Sequence, residues 1–153
     1  MNSKILLLAI SLFCSLLVSA QTPAETLVLK YDDVKGFKTI EVSGMKMAFA
    51  RPILKKYPIG PMADDVTKVY VLKIDKPSAQ ERKMFFDNLK STLKKYRYYG
   101  KSATPGGYTD VYVHMSSPEV VDELVIFNPQ KQVLNVLFGK FPVAELLKLE
   151  KNT

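Results

Sequence analysis

Between Tyr98 and Phe138 the chain repeats one pattern: short runs alternate apolar and polar residues, and each run stops at a turn signal. In Tyr108–Met115 the alternation is strict. Val111, Val113 and Met115 point one way; Tyr108, Asp110, Tyr112 and His114 point the other. A two-residue period is that of a strand with two different faces. Thr104-Pro105-Gly106-Gly107 supplies the residues that a turn with positive φ needs, and Asn128-Pro129-Gln130-Lys131 reads as a type I turn. Strands over Tyr98–Ala103, Tyr108–Met115, Glu123–Phe127 and Val133–Phe138 are therefore expected to form a β-meander.

Helix signals dominate the rest. Thr22-Pro23-Ala24-Glu25 combines a cap, a first-turn proline and the glutamate of a capping box, and Leu27, Tyr31 and Val34 recur on one face up to Gly36. This predicts a helix over Pro23–Val34. Phe37–Val42 follows as a strand. Ser43 is placed to cap a short helix carrying Met45, Ala48 and Phe49, which Pro52 should end or kink. Tyr57–Val66, with Pro58, Gly60 and Pro61, reads as a loop, and β-branched Val69–Ile74 as a strand. Ser78-Ala79-Gln80-Glu81 is a second capping box, and Phe85, Leu89, Leu93 and Tyr96 make the apolar stripe of a helix over Ser78–Arg97. Pro142 opens a last helix with Val143, Leu146 and Leu147. The expected fold class is α+β, two-layer: a mostly antiparallel sheet of about six strands with helices packed on one face. No repeat or second domain is visible after residue 20, and a chain of that length buries roughly two thirds of its unfolded surface.

Residues 1–20 read as an address. Lys4 gives a basic start, Ile5–Val18 carries no charge, and Val18-Ser19-Ala20 ends in small residues, so a signal peptide cleaved after Ala20 is expected. The run is shorter than the ~20 apolar residues of a spanning helix, so no transmembrane span is expected in the mature chain 21–153. Cys14 is the one cysteine, and Phe13 before it argues against a lipoprotein signal. One cysteine, one histidine and seven glycines exclude a disulfide scaffold, a Cys/His-rich metal site and glycine-rich phosphate loops. No cofactor is implied. The formal net charge is +7, which suits anionic lipid, glycan or an acidic envelope protein; export makes nucleic acid a poor partner.

Tyr31-Asp32-Asp33-Val34-Lys35-Gly36-Phe37-Lys38-Thr39-Ile40-Glu41-Val42-Ser43, Asp122–Phe127 and Val136–Phe141 together resemble the motifs of an exported bacterial family, domain of unknown function 4252, found mainly in the Bacteroidota. Lys46–Ala50 with Arg51-Pro52 departs from it, since that family keeps a longer apolar helix there. The resemblance implies an envelope protein, with a link to envelope-stress regulation through neighbouring sigma-factor genes. It implies no activity, because the shared motifs are a turn glycine, strand alternation and caps.

Among chemical candidates, His114 has Ser116 and Ser117 nearby in sequence, but a serine two residues along a strand is one repeat away, not in base–nucleophile geometry. Asp32 and Asp33 point about 100° apart on a helix, and Asp64-Asp65 lacks the alternating oxygen ligands of a calcium loop. Asp110 and Glu123 are the pair from which a carboxylate-dependent glycan hydrolase would be built. Lys83, Lys90, Lys94 and Arg97, with Lys101 beyond, make a basic strip edged by tyrosines, suited to an anion or a partner. Tyr108, Tyr112 and His114 either bind a sugar or peptide or pack under the last helix. The expected function is a non-enzymatic binding or interaction module of the bacterial cell envelope, periplasmic or secreted. The alternative is the hydrolase.

Overall fold

Thr22 opens the first helix as its side chain requires. Its Oγ1 accepts a hydrogen bond from the Glu25 amide at 3.2 Å, and Pro23 occupies the first turn, where its missing N–H costs nothing. The structure is a computed structural model that describes residues 21–57, 59–104 and 107–150. The expected leader Met1–Ala20, its cleavage point, and Pro105-Gly106 of the expected turn lie outside the described residues.

Helix α1 (Pro23–Lys30) leads to β1 (Phe37–Ser43), α2 (Met45–Leu54), a 3₁₀ turn (Gly60–Asp65) and β2 (Val66–Ile74). Then come α3 (Ala79–Leu93), β3 (Arg97–Thr104), β4 (Gly107–Ser117), β5 (Val120–Asn128), β6 (Val133–Pro142) and α4 (Val143–Glu150). The strands form one sheet in the order β1-β2-β6-β5-β4-β3, every neighbour antiparallel. The meander is present, and the class is α+β as the patterning predicts.

Boundaries moved where tighter turns replace the last helical hydrogen bonds. The helix expected to reach Val34 stops at Lys30, after which Val34 and Phe37 donate to carbonyls three residues back. Gly36 then takes φ +91°, and a Cβ there would stand 2.3 Å from the Pro77 Cα, so this crossing admits only glycine. The long helix stops at Leu93 instead of Arg97, since Lys95 and Tyr96 make three-residue turns and Arg97 already pairs with Val113. Ser43 does not cap α2. Gly44 holds that position at φ 58°, with no side-chain cap. Pro52 sits in the last turn of α2, where the helix runs on to Leu54, and the expected loop contains the 3₁₀ turn.

The helices do not share one face, which corrects the expected layering. α1 and α3 pack on the face that carries Tyr70, Leu72, Val125, Leu134 and Val136, around the fully buried Phe85. α2, the 3₁₀ turn and α4 pack on the opposite face, where Met47, Met62, Phe141 and Leu146 meet Val69, Val113, Leu124 and Leu137. The reason lies in the central strands. In β2, β5 and β6 consecutive residues are apolar, so both faces demand cover.

Candidate functional site

The second face is covered only in part. α2 contacts β1 and β2, α4 contacts β6, and both helices are short. Beyond them, apolar side chains from β2, β6, β5 and β4 are left lining a cavity of about 450 Å³. Its floor includes Val71, Val111 and Ile126, and its sides include Leu54 and Tyr57 after α2, Tyr99 on β3 and Leu146 on α4. Strand register places Asn135 in the middle of this floor, opposite Val71 on one side and Ile126 on the other. An amide there both donates and accepts hydrogen bonds between Val71 and Ile126, while Ser102, Thr109 and Asn128 add polar groups elsewhere in the lining. Among the described residues the charged groups in the lining are Lys101 and Lys131, with no carboxylate. Lys101 lies on β3, opposite Asp110 in the ladder, and Lys131 lies in the β5–β6 turn, at the rim.

The residues singled out in the sequence lie elsewhere. Lys90 and Lys94 come together beside a shallow hollow bordered by Phe86, Tyr112 and Phe127. Lys83 is paired with Asp87 at 2.8 Å, and the Arg97 guanidinium reaches the Met115 sulfur at 4.0 Å. Of the strip, Lys90 and Lys94 thus share one hollow, while Lys83 and Arg97 each have a contact of their own. His114 Nδ1 lies 2.7 Å from Asp122 Oδ1 across the β4–β5 hairpin, both exposed. Ser116 Oγ donates to the Val120 carbonyl and Ser117 Oγ accepts from the Glu119 amide, so neither serine serves the histidine. Asp32 and Asp33 are exposed, and Asp64 makes a 3.7 Å ion pair with Lys55. Tyr112 packs with Tyr98 at 5.1 Å on the face of α3. It does not lie under the last helix, because α4 covers the other face. Tyr108 is exposed.

Asp110 pairs with Phe127 and Glu123 with His114. Four ladder steps separate the two carboxylates, ~13 Å along a strand, beyond the ~9.5 Å that a paired-carboxylate hydrolysis spans. Glu123 is instead a core group, 2% exposed. Tyr96 Oη donates to its Oε1 and accepts from the Ala24 amide at 3.0 Å. Burial pushes the Glu123 carboxyl above its usual value, and the Tyr96 and Thr22 hydroxyls pull the other way. The folded chain therefore holds this proton more tightly than the unfolded chain. The stabilisation is complete below about pH 4.3, the unfolded value, and is lost as pH rises through the folded one. Glu123→Gln is expected to abolish that loss. Its Tm at pH 7 should stand a few degrees above the parent's, with the two converging near pH 4 in thermal melts. A gain that persists unchanged at pH 4 would show that ionisation is not its cause.

Among the described residues, no three His, Cys, Asp or Glu side chains gather to hold a metal ion, and no helix is long and apolar enough to cross a membrane. Comparison with known proteins gave no matching family model, curated protein or solved structure.

Proposed function

We propose that this protein is a non-enzymatic binding module of the bacterial cell envelope that holds a small, largely apolar molecule on the second face of its sheet. The cavity carries the reading. Its ~450 Å³ lies in the size range of small-molecule sites, which are mostly apolar with a few placed polar groups. Asn135 is the polar group at the centre of the floor, and Lys131 favours an anionic end at the rim. Of the partners expected from the sequence, the acyl portion of a lipid suits this lining best. A glycan would leave its hydroxyls unpaired against valine and isoleucine. Export rests on the leader, and the envelope setting also rests on the resemblance to domain of unknown function 4252.

The test uses 1-anilinonaphthalene-8-sulfonate as a fluorescent probe and dodecanoate as its competitor. The protein is expected to bind the probe at one site and release it to dodecanoate. Val111→Phe, which fills the floor with a residue that strands accept well, should weaken both ligands at least 10-fold, ~1.4 kcal/mol, with Tm within a few degrees of the parent's. Failure of the folded parent to bind either ligand, or undiminished binding by Val111→Phe, would end this reading.

A further inference from the structure

Helix α2 is built with two apolar faces but has a partner for only one. Inward, Met47 is buried, and Ala50 and Leu54 pack against the second core. Outward, Met45, Phe49 and Ile53 recur at four-residue spacing, so they form one stripe along the helix. They are 87%, 80% and 58% exposed. Ile40, on the strand leading into α2, is half-exposed as well. Apolar side chains in line on a surface mark a contact site, whereas scattered ones do not.

The charges around the stripe identify what it contacts. The helix, MKMAFARPIL, holds no acid. Lys46, Lys55 and Lys56 are exposed at its two ends. The Arg51 guanidinium is spent inside the fold on the Val66 carbonyl at 3.3 Å. Nearby carboxylates are Asp64, which pairs with Lys55, and Asp65. A second copy of α2 would bring like charges together, so the surface does not complement itself. An exposed apolar stripe with lysines at both ends suits an anionic membrane interface, where apolar side chains enter the acyl boundary and cations meet the headgroups.

We propose that α2 seats the protein on an anionic lipid surface, with Met45, Phe49 and Ile53 entering the acyl boundary and Lys46 and Lys56 among the phosphates. The proposal concerns the outside of α2 and holds whether or not the sheet cavity is filled.

The chain contains no tryptophan, so Phe49→Trp in the full-length protein is a single reporter of α2. A tether through residues 1–20 would hold the chain to lipid without inserting residue 49, so the readout is quenching of that residue by brominated acyl chains and its dependence on Lys46 and Lys56, not vesicle binding itself. With vesicles containing phosphatidylglycerol, its emission is expected to shift to the blue and to be quenched by brominated acyl chains. Each lysine near such a surface contributes roughly a factor of five. Adding Lys46→Gln and Lys56→Gln should therefore weaken the vesicle response about 30-fold, with thermal unfolding unchanged. No shift, or an equal shift on purely zwitterionic phosphatidylcholine, overturns the proposal. A concentration-dependent blue shift without lipid also overturns it, in favour of a second copy of the chain as occupant.

Discussion

Tyr96→Phe is expected to destabilise the protein by about 3 kcal/mol, seen as a lower urea midpoint at an unchanged m-value. One oxygen performs two tasks. Tyr96 Oη accepts from the Ala24 amide, which belongs to the first turn of α1 and has no partner within its own helix. It also donates to the buried Glu123 carboxyl. Phenylalanine keeps the ring and its packing, so the loss isolates these two bonds. It leaves a buried N–H without an acceptor and a buried carboxylate without its main donor. The same substitution made on top of Glu123→Gln should cost at least 1 kcal/mol less, because the charge that needed the donor is then absent. Strict additivity of the two changes would mean that the hydroxyl does not sustain the carboxylate.

Phe85→Ala should cost still more, about 3–5 kcal/mol. Phe85 is fully buried in α3, and its ring meets Tyr31 at 5.1 Å and Phe37 at 5.2 Å. Those two rings belong to the turn after α1 and to β1, so one side chain ties three elements over the first face. Deleting it leaves a cavity whose walls come from separate elements and cannot collapse together. Phe86, its neighbour, is half-buried and packs on Phe127 at 6.0 Å. Phe86→Ala is the control, and about 1–2 kcal/mol is expected from its partial burial. Thermal and urea unfolding of the two variants decide the matter. Equal losses would show that the three-ring contact does not anchor the first face.

The contacts of the candidate residues depend on tertiary structure. His114 sits opposite Glu123 in the β4–β5 ladder and meets Asp122 only because the register shifts there and leaves Asp122 as an extra, unpaired residue between Val121 and Glu123, which alternation alone does not foretell. The Tyr96–Glu123 bond spans 27 residues and two elements, and no local pattern marks it. Glu25 makes the point at short range. Its place after Thr22 suits a capping box, yet its carboxylate reaches β2 instead, 3.1 Å from both Lys68 Nζ and Tyr70 Oη. The local signal fixed the helix start but not the destination of the side chain.

Period and punctuation are local properties, and they alone dictated four meander strands, the capped starts of α1 and α3 at Thr22 and Ser78, and an antiparallel α+β architecture. Which sheet face each helix covers depends on how the whole chain crosses the sheet. Tertiary packing therefore decided that α2 and α4 lie opposite α1 and α3. The cavity follows from that division. Val71, Val111 and Ile126 read as ordinary inward strand residues, and only the finite reach of two short helices leaves them facing open space.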